Sequence, residues 1–210
     1  MDFSLDLPSG PLAEDILATV RTSSTPSLVN HSLRSFFFAQ LLAAHEGLLA
    51  DTAYDRDLLF AATVLHDLGI GALAKGQARF EVEGADLAAE LLRKHGVAER
   101  DIDRVWEAIA LHASAGLAER RGVLAYLTRG GIGIDFGHRA EIVEHWGKGI
   151  HADYPRLNMA RSVVDAIVAH AARSAEAGSP YSVGGALLRE RRDHVVTSME
   201  RAAAASLWRG

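Results

Sequence analysis

Val64-Leu65-His66-Asp67-Leu68-Gly69 is an apolar run that ends in an imidazole, a carboxylate and then a glycine. Packing alone does not account for it, because a charge carried into an apolar interior must be paired or bound to a cation. The residues leading into it, 55–68, read as a helix opened by Asp55 and closed near Gly69, with Leu59, Ala62 and His66 on one face. His66 therefore points inward, with Asp67 beside it at the helix end. Neighbouring helix residues diverge by about 100°, but in a last turn both side chains can converge on an ion beyond the helix axis.

Upstream, Ser23-Ser24-Thr25-Pro26 predicts a helix start, with Thr25 as N-cap and Pro26 at the first helical position, running to Gly47. Leu28, His31, Ser35, Phe38 and Leu42 recur on it at steps of three and four, so His31 also faces inward. Downstream, residues 130–137 (Gly-Gly-Ile-Gly-Ile-Asp-Phe-Gly) read as a loop in which glycines allow Asp135 a close approach. No strand precedes these glycines, so they are not a dinucleotide fingerprint. A lone inward histidine is more often a hydrogen-bonded core residue. Two of them joined by two aspartates form a mixed nitrogen and oxygen set suited to Zn²⁺, and also to Fe²⁺, Mn²⁺, Co²⁺ or Ni²⁺, with positions left for water or substrate.

The remaining periodicities predict helices at 12–21, 83–94, 101–113, 117–129, 138–146 and 156–177, then an Ala-rich helical segment from Gly178-Ser179-Pro180 to about Leu207. Nothing alternates with period two. The expected fold is all-α, a single helical-bundle domain over 1–210, with its core at about 26–170, a short N-terminal helix and a C-terminal helical extension.

At 210 residues, 49% hydrophobic and 23% charged, the chain can bury a sizeable core. A net charge of −5 and a pI near 6.0 exclude a general nucleic-acid binder, leaving nucleotides only as small substrates. The apolar runs are too short to span a bilayer. The absence of cysteine rules out disulfides, thiolate ligands and a cysteine nucleophile. No basic segment followed by an apolar one suggests export, so a cytoplasmic protein with a small-molecule substrate is expected. Apolar residues near Trp208, read as exposed, lead us to expect a homo-oligomer.

The order His31, His66-Asp67, Asp135 resembles the HD-domain superfamily of metal-dependent hydrolases over about residues 26–170. Within it, residues 28–35 (Leu-Val-Asn-His-Ser-Leu-Arg-Ser), Leu65-His66-Asp67-Leu68-Gly69, residues 79–86 (Arg-Phe-Glu-Val-Glu-Gly-Ala-Asp) and Ala110-Leu111-His112 are most similar to the cyanamide hydratase-like branch. The resemblance implies one divalent ion, zinc by preference, held by His31, His66, Asp67 and Asp135, and a hydratase (a lyase or hydrolase) acting on a small nitrile-type substrate, cyanamide giving urea. Di-iron and cyclic-dinucleotide branches place an additional histidine before a Gly-Ala step; here Phe80-Glu81-Val82-Glu83 precedes Gly84-Ala85, which favours one metal. Many HD phosphohydrolases carry Lys after the turn where this chain has Ile70, its nearest lysine being Lys75. That disfavours the alternative, a nucleotide monophosphate phosphohydrolase. A non-catalytic helical module with a structural metal is the second alternative.

Asp67 and Glu83 are the candidate proton acceptors and His112 the candidate proton donor. Glu83 is equally read as a carboxylate favoured by a helix N-terminus, and His112 as a core histidine. Arg34, Phe80 and Asp86 are the candidate substrate contacts, weighed against a snorkelling arginine, a core ring and a surface aspartate. Phe36, Phe37, Phe38 and Phe136 are available to wall a pocket. His45, His95, His138, His145, His151, His170 and His194 share no spacing and are assigned to the surface.

Overall fold

The computed structural model describes residues 5–208. Its order is α1 (Pro11–Ser23), α2 (Pro26–His45), α3 (Arg56–Leu65), α4 (Phe80–Lys94), α5 (Glu99–Leu111), α6 (Val123–Asp135), α7 (Glu144–Asp153), α8 (Met159–Ala171), α9 (Val183–Asp193) and α10 (Ser198–Ala204), joined by short 3₁₀ turns. Among the described residues there is no strand, so the all-α bundle holds. No helix among them is long and apolar enough to cross a membrane.

Helix α2 is the axis of the bundle. From Ser27 to Ala43 only Asn30 escapes burial, which marks a helix enclosed on all sides. Pro26 fixes its start; Thr25 occupies the N-cap position without a side-chain bond. In contrast, the Asp55 carboxylate caps α3 by accepting from the amides of Asp57 and Leu58, both at 3.0 Å. The Phe36 and Phe60 rings meet edge to face at 5.1 Å, locking α2 to α3.

The largest correction concerns residues 130–137. They are not a loop, because Gly130, Gly131 and Gly133 lie inside α6 and Asp135 is its last residue. Glycine costs helix stability when judged locally, but here the crossing with α2 demands it. A Cβ on Gly131 would stand 2.2 Å from the Ser35 carbonyl oxygen and 2.7 Å from the Ala39 Cβ. This close crossing brings Asp135 onto His31 and Arg34.

The C-terminal segment is two helices, α9 and α10, separated by extended backbone at His194 (φ −138°, ψ 138°). A capping box between Thr197 and Glu200 starts the second. Trp208 itself is half-buried, whereas its neighbour Leu207 is exposed. The Trp208 indole stacks on Phe38 at 5.7 Å and its Nε1–H donates to the Ile134 carbonyl at 2.6 Å.

Candidate metal centre

Helix α3 ends at Leu65, and His66 and Asp67 turn its last residues into a 3₁₀ turn over Leu68–Ile70. That turn sits against the start of α4 because two glycines face one another. A Cβ on Gly69 would stand 1.8 Å from the Phe80 carbonyl oxygen, and one on Gly84 would stand 3.0 Å from the Gly69 nitrogen and 3.2 Å from the His66 carbonyl oxygen.

The two histidines are held at Nδ1. His66 donates from Nδ1 to the Thr63 carbonyl at 2.8 Å, and His31 donates from Nδ1 to Asp135 Oδ2 at 2.6 Å. Carbonyl and carboxylate acceptors fix the proton on Nδ1 and leave both Nε2 lone pairs for an ion. His66 Nε2 lies 3.2 Å and His31 Nε2 3.8 Å from Asp67 Oδ2. The three ligand atoms all fall within 4.8 Å of one another, in residues that are fully buried. His31 Nε2 and Asp67 Oδ2 have no hydrogen-bond partner. Buried polar atoms left so and aimed at one another are the signature of a cation site, and the donor chemistry fits a divalent ion.

Without an ion, burial pushes His31 below its ordinary value despite Asp135. Burial also opposes charge on His66, but the Asp67 carboxylate outweighs it and holds His66 above its ordinary value. The Asp67 carboxyl lies well below the usual range, because His66, with help from His31 and His112, overcomes the burial penalty. Asp67 is therefore a carboxylate ready to bind.

Asp135, expected as the fourth ligand, stands behind His31 instead of joining the three-atom group. Arg34 clasps it with Nε on Oδ1 and a terminal nitrogen on Oδ2, both at 2.7 Å, and Arg156 reaches Oδ1 at 3.2 Å. Burial opposes its ionisation, but His151, His31 and Arg34 hold its carboxyl well below the usual range. Arg34 also donates to the carbonyls of Tyr154 and Pro155 at 2.9 and 3.1 Å, so it is a structural clamp and not a substrate contact.

Glu83 is likewise engaged by other partners. Its carboxylate accepts from the amides of Lys75 (2.8 Å), Gly76 (3.0 Å) and Ala78 (2.9 Å), and from that of Gln77, cradling the turn before α4. Asp86 is exposed and accepts from the Trp106 indole at 2.8 Å, away from the site. His112 and Phe80 do belong to it. The His112 ring lies 4.9 Å from that of His66 and 5.6 Å from that of Phe80, and its Nδ1–H donates to the Ile109 carbonyl at 2.7 Å. Burial, reinforced by His66, lowers the His112 pKa to about 4.

Two histidines assigned to the surface lie elsewhere. His170 is buried against the Ala78 carbonyl at 2.9 Å, and the half-buried His151 packs on Trp208 with its Nε2 3.7 Å from Asp135 Oδ1. Their partners come from distant segments, and no local spacing signals them. His45, His95, His138, His145 and His194 are exposed as expected, His138 beside the cavity that it helps to line.

A cavity of about 620 Å³ opens on His31, His66, Asp67, His112 and Phe80. Such a cluster at the base of a cavity in a helical bundle defines a class, the metal-binding hydrolytic enzymes. The chain belongs to the HD-domain family, whose model matches residues 28–176. That family consists mostly of metal-dependent hydrolases. No curated protein matches the chain.

Proposed function

We propose that the protein is a hydrolase or hydratase using one divalent ion, zinc by preference, and that it adds water to an uncharged, polarised group such as the carbon–nitrogen multiple bond of a nitrile. The observation that carries this choice is the charge balance around the cavity. Among the described residues, its lining arginines are committed: Arg129 binds Glu119 at 2.8 Å and Arg139 binds Glu46 at 2.8 Å. A phosphate monoester needs several cationic or amide donors around its oxygens, and Asp67 adds negative charge where such a group would sit.

An ion held by His31, His66 and Asp67 supplies water acidification and Lewis-acid polarisation of the substrate. The rest falls to the chain. Asp135 and the Thr63 carbonyl keep the two imidazoles in the orientation that presents Nε2. Because its Nδ1–H is engaged by Ile109, His112 offers Nε2 as the acceptor for a proton from the attacking water and returns it to the substrate nitrogen. Phe80 and Phe136, the latter edge-on to His31 at 5.4 Å, exclude bulk water from the reacting group. Cyanamide is a small substrate of this kind, and a volume of about 620 Å³ lies in the range that encloses drug-sized ligands.

The test is turnover by the metal-analysed protein of cyanamide, longer nitriles and nucleoside monophosphates. Amide or urea formation with one ion per chain is expected. Phosphate release from a nucleotide with no nitrile turnover overturns the proposal, and tight stoichiometric metal with no turnover of any substrate favours a structural ion.

A further inference from the structure

The cavity beside the metal centre is far roomier than the group that would react there, and part of its lining comes from outside the matched family region. The family model ends at residue 176, whereas Val183, Met199, Ala202, Ala203 and Ser206 lie on or beside α9 and α10. These helices rest on α8, where Val163 and Ile167 join the same lining. Ile132 and Phe136 complete a surface of aliphatic and aromatic side chains. The charged side chains that reach it beyond Asp67, namely Arg129, Glu119 and Arg139, are neutralised in pairs, Arg139 by Glu46. An enclosure of this volume, apolar and balanced in charge, is suited to a neutral body with substantial hydrocarbon content.

We infer that the C-terminal helices α9 and α10 form a specificity wall, and that the substrate is an uncharged molecule whose apolar body lies against Met199, Ala202 and Ala203 while its polar group meets the metal centre. This rests on the proposed function for the identity of the reacting end, but the wall itself is a property of the apolar lining. Ala203 is the position chosen for the test: it lines the cavity from α10, is 4% exposed, and its small side chain can be enlarged into the space.

Straight-chain primary amides of increasing length serve as probes, since they pair a neutral polar head with an apolar tail and do not require an ion. Their dissociation constants are measured by calorimetry on the metal-loaded and metal-stripped protein. Affinity is expected to rise about fourfold per methylene up to a cut-off length, the gain from burying each CH₂. Ala203→Phe should shorten the cut-off and weaken the longest amide more than tenfold, equivalent to about two buried methylenes, with unchanged metal content. Met199→Ala should move the cut-off the other way. If Ala203→Phe does not fold, Ala202→Phe, at an exposed position that also lines the cavity, makes the same test.

Affinity independent of tail length, or a cut-off that none of these variants moves, overturns the inference. Length dependence in a protein that binds no ion refutes the metal reading and leaves the wall standing. One bound ion with no length dependence does the reverse.

Discussion

Replacing Glu83 with glutamine distinguishes a scaffold carboxylate from a catalytic one. In the native turn both oxygens are used, one by the amides of Lys75 and Gly76, the other by those of Gln77 and Ala78. Glutamine keeps one oxygen and presents an NH₂ where the other stood, so two backbone donors face a donor and the charge is lost. Hydrogen bonds to a charged group contribute roughly 1.5–3 kcal/mol. Since water reaches part of this turn, we expect a loss of about 2 kcal/mol, or a Tm lower by about 4–8 °C in a domain of this size. The effect must also depend on pH. Burial works against the charge, but the four amides prevail and hold the Glu83 carboxyl below its ordinary value. A group whose pKa is depressed on folding stabilises the protein above its unfolded value and loses that contribution as pH falls through the folded one. The difference in Tm between wild type and variant should be constant from about pH 6 to 8 and shrink below about pH 4. Thermal unfolding followed by circular dichroism at these pH values measures it, with elemental analysis showing that the ion is kept. An unchanged Tm, or a difference that persists undiminished at low pH, refutes the reasoning. Turnover abolished at undiminished stability would return Glu83 to the reaction.

Gly131→Ala forces a Cβ onto the backbone of α2 and should cost about 3 kcal/mol, the upper part of the overpacking range, read as a fall in the urea midpoint; tolerance would mean that the helices cross less closely. His66→Ala should abolish stoichiometric metal by elemental analysis and with it any rise of Tm on adding the ion; full metal retention would refute the ligand set. Asp135→Asn leaves Arg34, 0% exposed, without its counter-charge and should destabilise by about 3–5 kcal/mol in chemical denaturation, as for other broken buried pairs. A loss under about 1 kcal/mol, the worth of a surface pair, would mean that the pair is solvated.

His31 and His66 were legible because each sits on an apolar stripe of its own helix, where steps of three and four betray an inward side chain. Asp135 was legible as an important residue but not in its part. Its partners Arg34, His151 and Arg156 arrive from α2, α7 and the segment before α8, and no local pattern encodes that convergence. The glycines before it resemble a loop in sequence because propensity is a local quantity, whereas the demand for glycine is set by a neighbouring helix. Glu83 lay between two readings for a similar reason, since backbone amides five to eight residues earlier leave no side-chain signature. The cavity wall from α9 and α10 was invisible in the sequence, which showed helices there but not what their apolar faces cover.

The contact between Gly69 and Gly84 binds two stretches of sequence into one unit of inheritance. Each glycine leaves room for backbone belonging to the other's element, including the carbonyl of the metal-binding His66 itself, so a second change cannot rescue the first by shrinking a side chain. A library randomised at both positions and selected for bound metal should therefore return glycine twice, without the exchange of large for small seen where two side chains share a space.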